Sequence, residues 1–368
     1  MNSQTRRAVQ AGITLLIAAA GGGIAALLSL PIPWLLGPTI AVSLASIAGV
    51  HALVPERLRE IVFFVLGIQS GSAVSPEVLG QLAIWPFSFA MQMAGVLAVV
   101  VLTFAFLRRV YGWDRQTALF ASLPGALSFV LAAATETRSD ITRVTVVQSV
   151  RLLFLIGVLT PVLSTLEARD DAVPVARGTA ISLYDGSLLF AVCLVLAILG
   201  RWSRVPGGLM LGALMGSAVL HGSGITTVAL PIAITIPGLV VLGALIGSRL
   251  RGIHRGDLLR LLPASVAAFV IGVVASGAAV LGAVGLLGIE PGKVVLAYAP
   301  GALEALTVLA YQFDLDPTYV AAHHVFRFIC IAMIVPLLAR RFPKVEPPLP
   351  AEVAERQALP SGVDRGED

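Results

Sequence analysis

Apolar residues in this chain run in blocks too long for the core of a soluble domain. Residues 9–29, 81–107, 144–166, 180–200, 262–288 and 319–339 are each nearly free of charge. Each is long enough to cross a bilayer as a helix, for which about 20 residues suffice at about 1.5 Å per residue. In lipid every backbone amide must be satisfied within the segment, so such blocks are helical. The chain lacks the ten-residue stretches of alternating polarity that mark a membrane β-barrel. Shorter apolar segments fill the gaps, giving six per half. The first six are about 9–29, 34–52, 59–74, 81–107, 117–135 and 143–166, and the second six about 180–200, 205–221, 233–249, 262–288, 293–312 and 319–340. The pattern predicts an all-α integral membrane protein.

The two halves resemble each other. Leu123-Pro124-Gly125-Ala126-Leu127 recurs as Ala299-Pro300-Gly301-Ala302-Leu303, a shift of 300 − 124 = 176. Val65-Leu66-Gly67 falls on Val241-Leu242-Gly243, Asp140 on Asp316, Thr142 on Thr318 and Arg151 on Arg327 at the same shift. Over 118–151 and 294–327, 10 of 34 positions are identical without a gap. A matched Pro, Gly, Asp and Arg at one offset is more than a biased composition supplies. The expected organisation is a membrane repeat over 1–168, a polar linker over 169–177, a second membrane repeat over 178–341, and a disordered cytoplasmic tail over 342–368, rich in proline and charge.

Composition agrees with the pattern. The chain is 57% hydrophobic and 12% charged, against about 45–50% and about 25% in soluble domains. The net charge of +4 comes from basic residues scattered singly in short loops. That is topology information and excludes a nucleic-acid partner. Cys193 and Cys330 lie in apolar runs and read as small hydrophobes. Arg6 and Arg7 precede a long apolar run that leads into further segments, which reads as an uncleaved first helix.

Six crossings per half would leave the halves parallel and strand Arg201, Arg204, Arg249, Arg251, Arg255 and Arg260 outside, against the positive-inside rule. If the fifth segment of each half is broken or re-enters, each half crosses five times and the second is inverted. Those arginines then fall inside, and Lys293, Arg169 and Arg177 fall outside. Proline removes a helical hydrogen bond and glycine permits a reversal, so a break at Pro124-Gly125 and at Pro300-Gly301 is physically reasonable. The expectation is two inverted repeats of 5+5 helices plus a broken segment in each, with 6+6 parallel as the alternative. Both termini would be cytoplasmic in a bacterial inner membrane.

Inverted repeats with paired interruptions are a transporter signature, because unwound backbone near the midplane supplies ligand groups. The candidate binding residues are Pro124, Gly125 and Ser128 in the first break, and Tyr298, Pro300, Gly301 and Glu304 in the second. Glu304, in an apolar context, is a candidate proton carrier, so Glu304→Gln is expected to abolish proton-linked activity. In the sixth segments Gln148 and Arg151 share a helix face at i, i+3, as do His324 and Arg327. A guanidinium there can grip a carboxylate with two hydrogen bonds, snorkel to the interface, or pair with Asp140 or Asp316. His323 reads as a packing histidine with satisfied hydrogen bonds. Glycines at four-residue spacing (Gly67 and Gly71; Gly208, Gly212 and Gly216; Gly243 and Gly247) permit close helix packing and would suit a homodimer. No catalytic residue, metal ligand or cofactor motif stands out, and no Walker-type loop is present.

Ile32-Pro-Trp-Leu-Leu-Gly-Pro38, the two Pro-Gly-Ala-Leu motifs and His323-His-Val-Phe-Arg327 resemble the AbrB-type membrane protein family, over nearly the whole of 8–341. The resemblance implies an internally duplicated membrane protein. Family members carry conflicting labels: regulator of gene expression, ammonia monooxygenase and transporter. The expected function is secondary transport of a small solute, an organic anion by its arginines, driven by a proton or sodium gradient. The alternative is a membrane-embedded regulator or sensor without flux. The five histidines lack ligand spacing, which argues against a metal-dependent monooxygenase.

Overall fold

A computed structural model describes residues 3–72, 85–124, 127–135, 137–166, 183–203, 207–228 and 230–339. The linker, the tail and Gly125 lie outside the described residues. These residues form helices and connections, with no strand among them. The helices are α1 (Ser3–Leu27), α2 (Pro33–Ile47), α3 (Glu56–Gly71), α4 (Trp85–Arg109), α5 (Arg115–Ser122), α6 (Leu127–Thr135) and α7 (Ile141–Leu166), then α8 (Leu183–Trp202), α9 (Gly208–Gly222), α10 (Ile232–Gly247), α11 (Arg255–Leu287), α12 (Pro291–Tyr298), α13 (Leu303–Gln312) and α14 (Pro317–Ala339). Among the described residues, seven stretches are long and apolar enough to cross a membrane: Thr5–Leu27, Trp85–Arg109, Ile141–Thr165, Asp185–Trp202, Ile232–Leu250, Arg255–Leu287 and Pro317–Val335. The fifth segment of each half is two short helices and not one continuous span.

Helix starts follow local chemistry. Pro33 and Pro291 occupy first helical positions, where the missing N–H costs nothing. Asp114 accepts from Thr117 N (2.9 Å), Asp140 from Arg143 N (3.0 Å) and Asp316 from Tyr319 N (3.1 Å). These three carboxylates cap α5, α7 and α14. Ile32 and Gly207, which precede α2 and α9, both adopt the left-handed conformation, at φ 43° and 67°.

Glycine sets the packing between halves. A Cβ at Gly67 would sit 2.5 Å from Met210 O, and one at Gly243 would sit 2.7 Å from Leu35 O. Backbones therefore touch where α3 crosses α9 and where α10 crosses α2. Gly216 abuts Cys193 of α8. These glycine faces pack helix on helix inside the chain. Helices α4 and α11 run antiparallel: Gly95 meets Ala279, and Met91 meets Gly282 farther along α11.

Arginines tie one end of the bundle together. Arg201 at the end of α8 pairs with Glu60 of α3 (2.9 Å), Arg251 Nη1 donates to Ala52 O (3.0 Å), and Arg255 Nε donates to Ile47 O (2.7 Å). The end of α8, the α2–α3 connection and the start of α11 therefore lie together.

Candidate functional site

Each broken segment folds back on itself. In the first half Asp140 N, just before α7, donates to Thr117 Oγ1 of α5 (2.8 Å), and the Arg143 guanidinium lies 5.3 Å from the Trp113 ring centre. The chain thus returns to the end from which α5 set out. In the second half Lys293 Nζ of α12 pairs with Asp316 Oδ2 (2.8 Å), with the same result. Lys293 is 4% exposed and also lies over the Tyr319 ring (4.6 Å). It is a buried partner within the second hairpin.

The tips meet the arginines. Arg151 and Arg327 each lie ten residues into their helices, α7 and α14, a depth of about 15 Å. That is about half the hydrocarbon thickness of a bilayer. Breaking a helix leaves the carbonyls of its last turn without partners, and the arginines supply them. Arg151 Nη2 donates to Leu123 O (3.0 Å) and to Gln148 Oε1 (3.0 Å), while Gln148 Nε2 donates to Phe120 O (3.0 Å). Arg327 Nη1 donates to Ala299 O (2.7 Å) and its Nη2 to Gly301 O (2.8 Å), while His324 Nε2 donates to Leu296 O (3.1 Å). Residues 120, 123, 148 and 151 plus 176 give 296, 299, 324 and 327, so two contacts recur at the shift found in the sequence. Cationic groups at the C-terminal ends of α5 and α12 also suit their dipoles.

Arg151 is 5% exposed and Arg327 3%. Each guanidinium lies within electrostatic reach of the other. Asp140 pairs with Arg143 and Asp316 with Lys293, so neither aspartate serves these two. Among the described residues no carboxylate forms an ion pair with Arg151 or Arg327. Both guanidinium groups are buried against protein backbone. Arg has five N–H donors, and the contacts above use two on each.

The other candidates divide. Pro124 is buried at the end of α5, and Ser128 lies in the first turn of α6. Pro300 and Gly301 form the second tip, where a Cβ on Gly301 would press within 2.5 Å of Leu155 and 2.6 Å of Leu306. Glu304 begins α13 and is only half-buried. Its carboxylate lies beside Gly207, 3.5 Å from where a Cβ there would be, and within electrostatic reach of Arg249. Glu304 therefore sits at the edge of the second hairpin with a polar neighbour. His324 is buried, with Nδ1 lacking a hydrogen-bond partner.

Tyr298 belongs to a cluster that sequence reasoning missed. Ser88 Oγ of α4 lies 3.0 Å from Tyr298 Oη and 2.8 Å from His323 Nε2, and bonds Tyr319 Oη. Tyr298 Oη also donates to Ser88 O (2.7 Å), and His323 Nδ1 to Tyr319 O (2.8 Å). All four side chains are at most 2% exposed. Ser88 corresponds to Ala264 in the second half, and His323 to Val147 in the first, so a search for repeated motifs passes over them.

Residues 34–343 match the family described as "Transition state regulatory protein AbrB". The chain belongs to the AbrB family. Among AbrB relatives, "Uncharacterized protein YhjN" of Bacillus subtilis (strain 168) is 27% identical over 348 residues, covering 87% of this chain and 90% of the relative. "Putative regulator AbrB" of Escherichia coli (strain K12) is 26% identical over 320 residues, covering 84% and 90%. The resemblance first seen in the two Pro-Gly-Ala-Leu motifs thus extends over most of the AbrB chain.

Proposed function

We propose that this AbrB protein is a secondary transporter that carries a small organic anion across the bacterial inner membrane, driven by a proton or sodium gradient. The observation that carries the reading is the buried Arg151 and Arg327 pair, which no carboxylate neutralises among the described residues. Two uncompensated charges in a low-dielectric interior are costly, and an anion bound between the hairpin tips offsets that cost. The guanidinium donors not engaged by backbone suit a carboxylate.

The supporting architecture is a pair of inverted repeats. Helices α1–α4 and α7 form one, with α5–α6 as its re-entrant hairpin, and α8–α11 and α14 form the other, with α12–α13. Equivalent helices α4 and α11 pack antiparallel, as inversion requires and a parallel 6+6 arrangement does not. Hairpins that enter from opposite faces and meet near the midplane are where alternating access places a solute. Both termini are on the cytoplasmic side, with the arginines of 249–260.

The test is uptake by the purified protein in liposomes, with labelled succinate, citrate and lactate as probes. Gradient-driven uptake of one of them, lost in Arg151→Gln and Arg327→Gln, is the expected result. Uptake unaffected by either substitution overturns the reading. The name of the Escherichia coli relative favours a second reading, a membrane-embedded regulator. Saturable anion binding without flux is the outcome that would establish it.

A further inference from the structure

The cluster around Ser88 has one more polar contact than it has protons. His323 Nδ1 faces only the carbonyl of Tyr319 (2.8 Å), so Nδ1 carries a hydrogen and a neutral ring leaves Nε2 bare. Four contacts remain: Ser88 Oγ with His323 Nε2, with Tyr319 Oη and with Tyr298 Oη, and Tyr298 Oη with Ser88 O. The three hydroxyls hold three hydrogens between them. Ser88 must give its hydrogen to Nε2, and Tyr298 must give its own to the carbonyl. The Ser88–Tyr298 pair, 3.0 Å apart, is then two oxygens with no hydrogen between them.

A fourth hydrogen on Nε2 completes the set. His323 then donates to Ser88 Oγ, and Ser88 turns its hydroxyl to Tyr298 Oη. Tyr319 still donates to Ser88 and Tyr298 to the backbone. Every contact holds one hydrogen, and no heavy atom needs to move.

We infer that His323 is the proton-binding site of the transporter, and that its proton and the anion at Arg151 and Arg327 bind together. The inference rests on the anion reading above. His323 and Arg327 are four residues apart on α14 and so share a helix face. Tyr298 adjoins Ala299, whose carbonyl Arg327 holds. The two sites therefore share the end of α12 and one turn of α14.

The groups around His323 define the coupling. From α4 come Ser88, Trp85 and Phe89, none of them charged. From α12 come Tyr298 and Lys293, the latter paired with Asp316. From α14 come Tyr319, His324 and Arg327. Lys293 lies within electrostatic reach of His323, so a proton on His323 adds a positive charge near that ammonium and one turn from Arg327, which is unfavourable in a dry interior. An anion on the arginines reverses that balance. Each ligand then raises the affinity for the other by the same factor.

The test uses the full chain in liposomes containing a pH dye, with the same three probe anions. Uptake accompanied by internal acidification is expected, along with accumulation driven by an acidic exterior. The readout is the ratio of pH-driven accumulation to anion exchange. Glutamine at 323 can donate to Ser88 but cannot gain a proton, so the ratio falls about tenfold in His323→Gln. Tyr298→Phe, which removes the acceptor for the turned Ser88 hydroxyl, lowers it in the same direction. An unchanged ratio in His323→Gln overturns the proton site while leaving the anion site standing. If none of the probes moves, the transport reading fails on its own. Titration of 15N-histidine-labelled protein with succinate then judges the proton site: no His323 imidazolium between about pH 4 and about pH 9 overturns it.

Discussion

Ala299 O and Gly301 O flank Pro300 at the second tip, and a single guanidinium holds both. Lysine would keep the charge but not the fork that spans two carbonyls. Arg327→Lys is therefore expected to lower stability by about 1–3 kcal/mol, the cost of a buried acceptor left unmade. Uptake is expected to fall at least about tenfold as the tip shifts. Thermal unfolding in detergent and liposome uptake measure the two effects. Stability and flux both equal to the native protein would show that Arg327 acts as a charge alone. Residues that obey the 176 shift, such as Asp140 and Asp316 or Arg151 and Arg327, build the common scaffold. Ser88, Tyr319 and His323 fall on Ala264, Arg143 and Val147, and such unmatched positions are where the two hairpins can differ in chemistry.

At the scale of elements, the glycine crossings determine how the halves interlock. Gly243 and Leu35 bring α10 and α2 into backbone contact. Gly243→Val overpacks that crossing and is expected to cost about 1–3 kcal/mol, read as a lower melting temperature or as aggregation on extraction. Gly277 of α11, which has open space around it, should accept alanine without loss, and its failure to do so would mean the glycine effect is not steric. The helices, the breaks and the arginine pairs were legible because apolar periodicity and a repeated Pro-Gly are local signals. The caps were half legible: Asp140 and Asp316 precede apolar runs, yet read equally well as arginine partners. The Ser88 cluster was not legible, because its partners lie 210, 231 and 235 residues away. The surroundings of Glu304 were not legible, because sequence places it in an apolar run but cannot see Gly207 and Arg249 folded near it.

The whole molecule turns on which connections share a face of the membrane. Arg251 binds the Ala52 carbonyl of the α2–α3 connection, Arg255 the Ile47 carbonyl at the end of α2, and Arg201 pairs with Glu60 in α3. These connections must be accessible from one side together. The hairpin geometry adds a second constraint. Because α5 and α7 start at the same end, the Gly112 turn belongs on the face of Arg255, to which α4 runs antiparallel to α11. By the same rule the Gly288 turn, between α11 and α12, belongs on the opposite face. Both turns have positive φ and open space around the glycine, so cysteine at either is exposed to a reagent. In a cysteine-free background, Gly112→Cys and Arg255→Cys should react with an impermeant maleimide only from the cytoplasm, and Gly288→Cys only from the periplasm. Gly112 and Gly288 follow α4 and α11 in their respective repeats, so labelling from opposite faces is the signature of inversion. Labelling of both from one face would make the halves parallel, and the two buried arginines would no longer sit between hairpins entering from opposite sides.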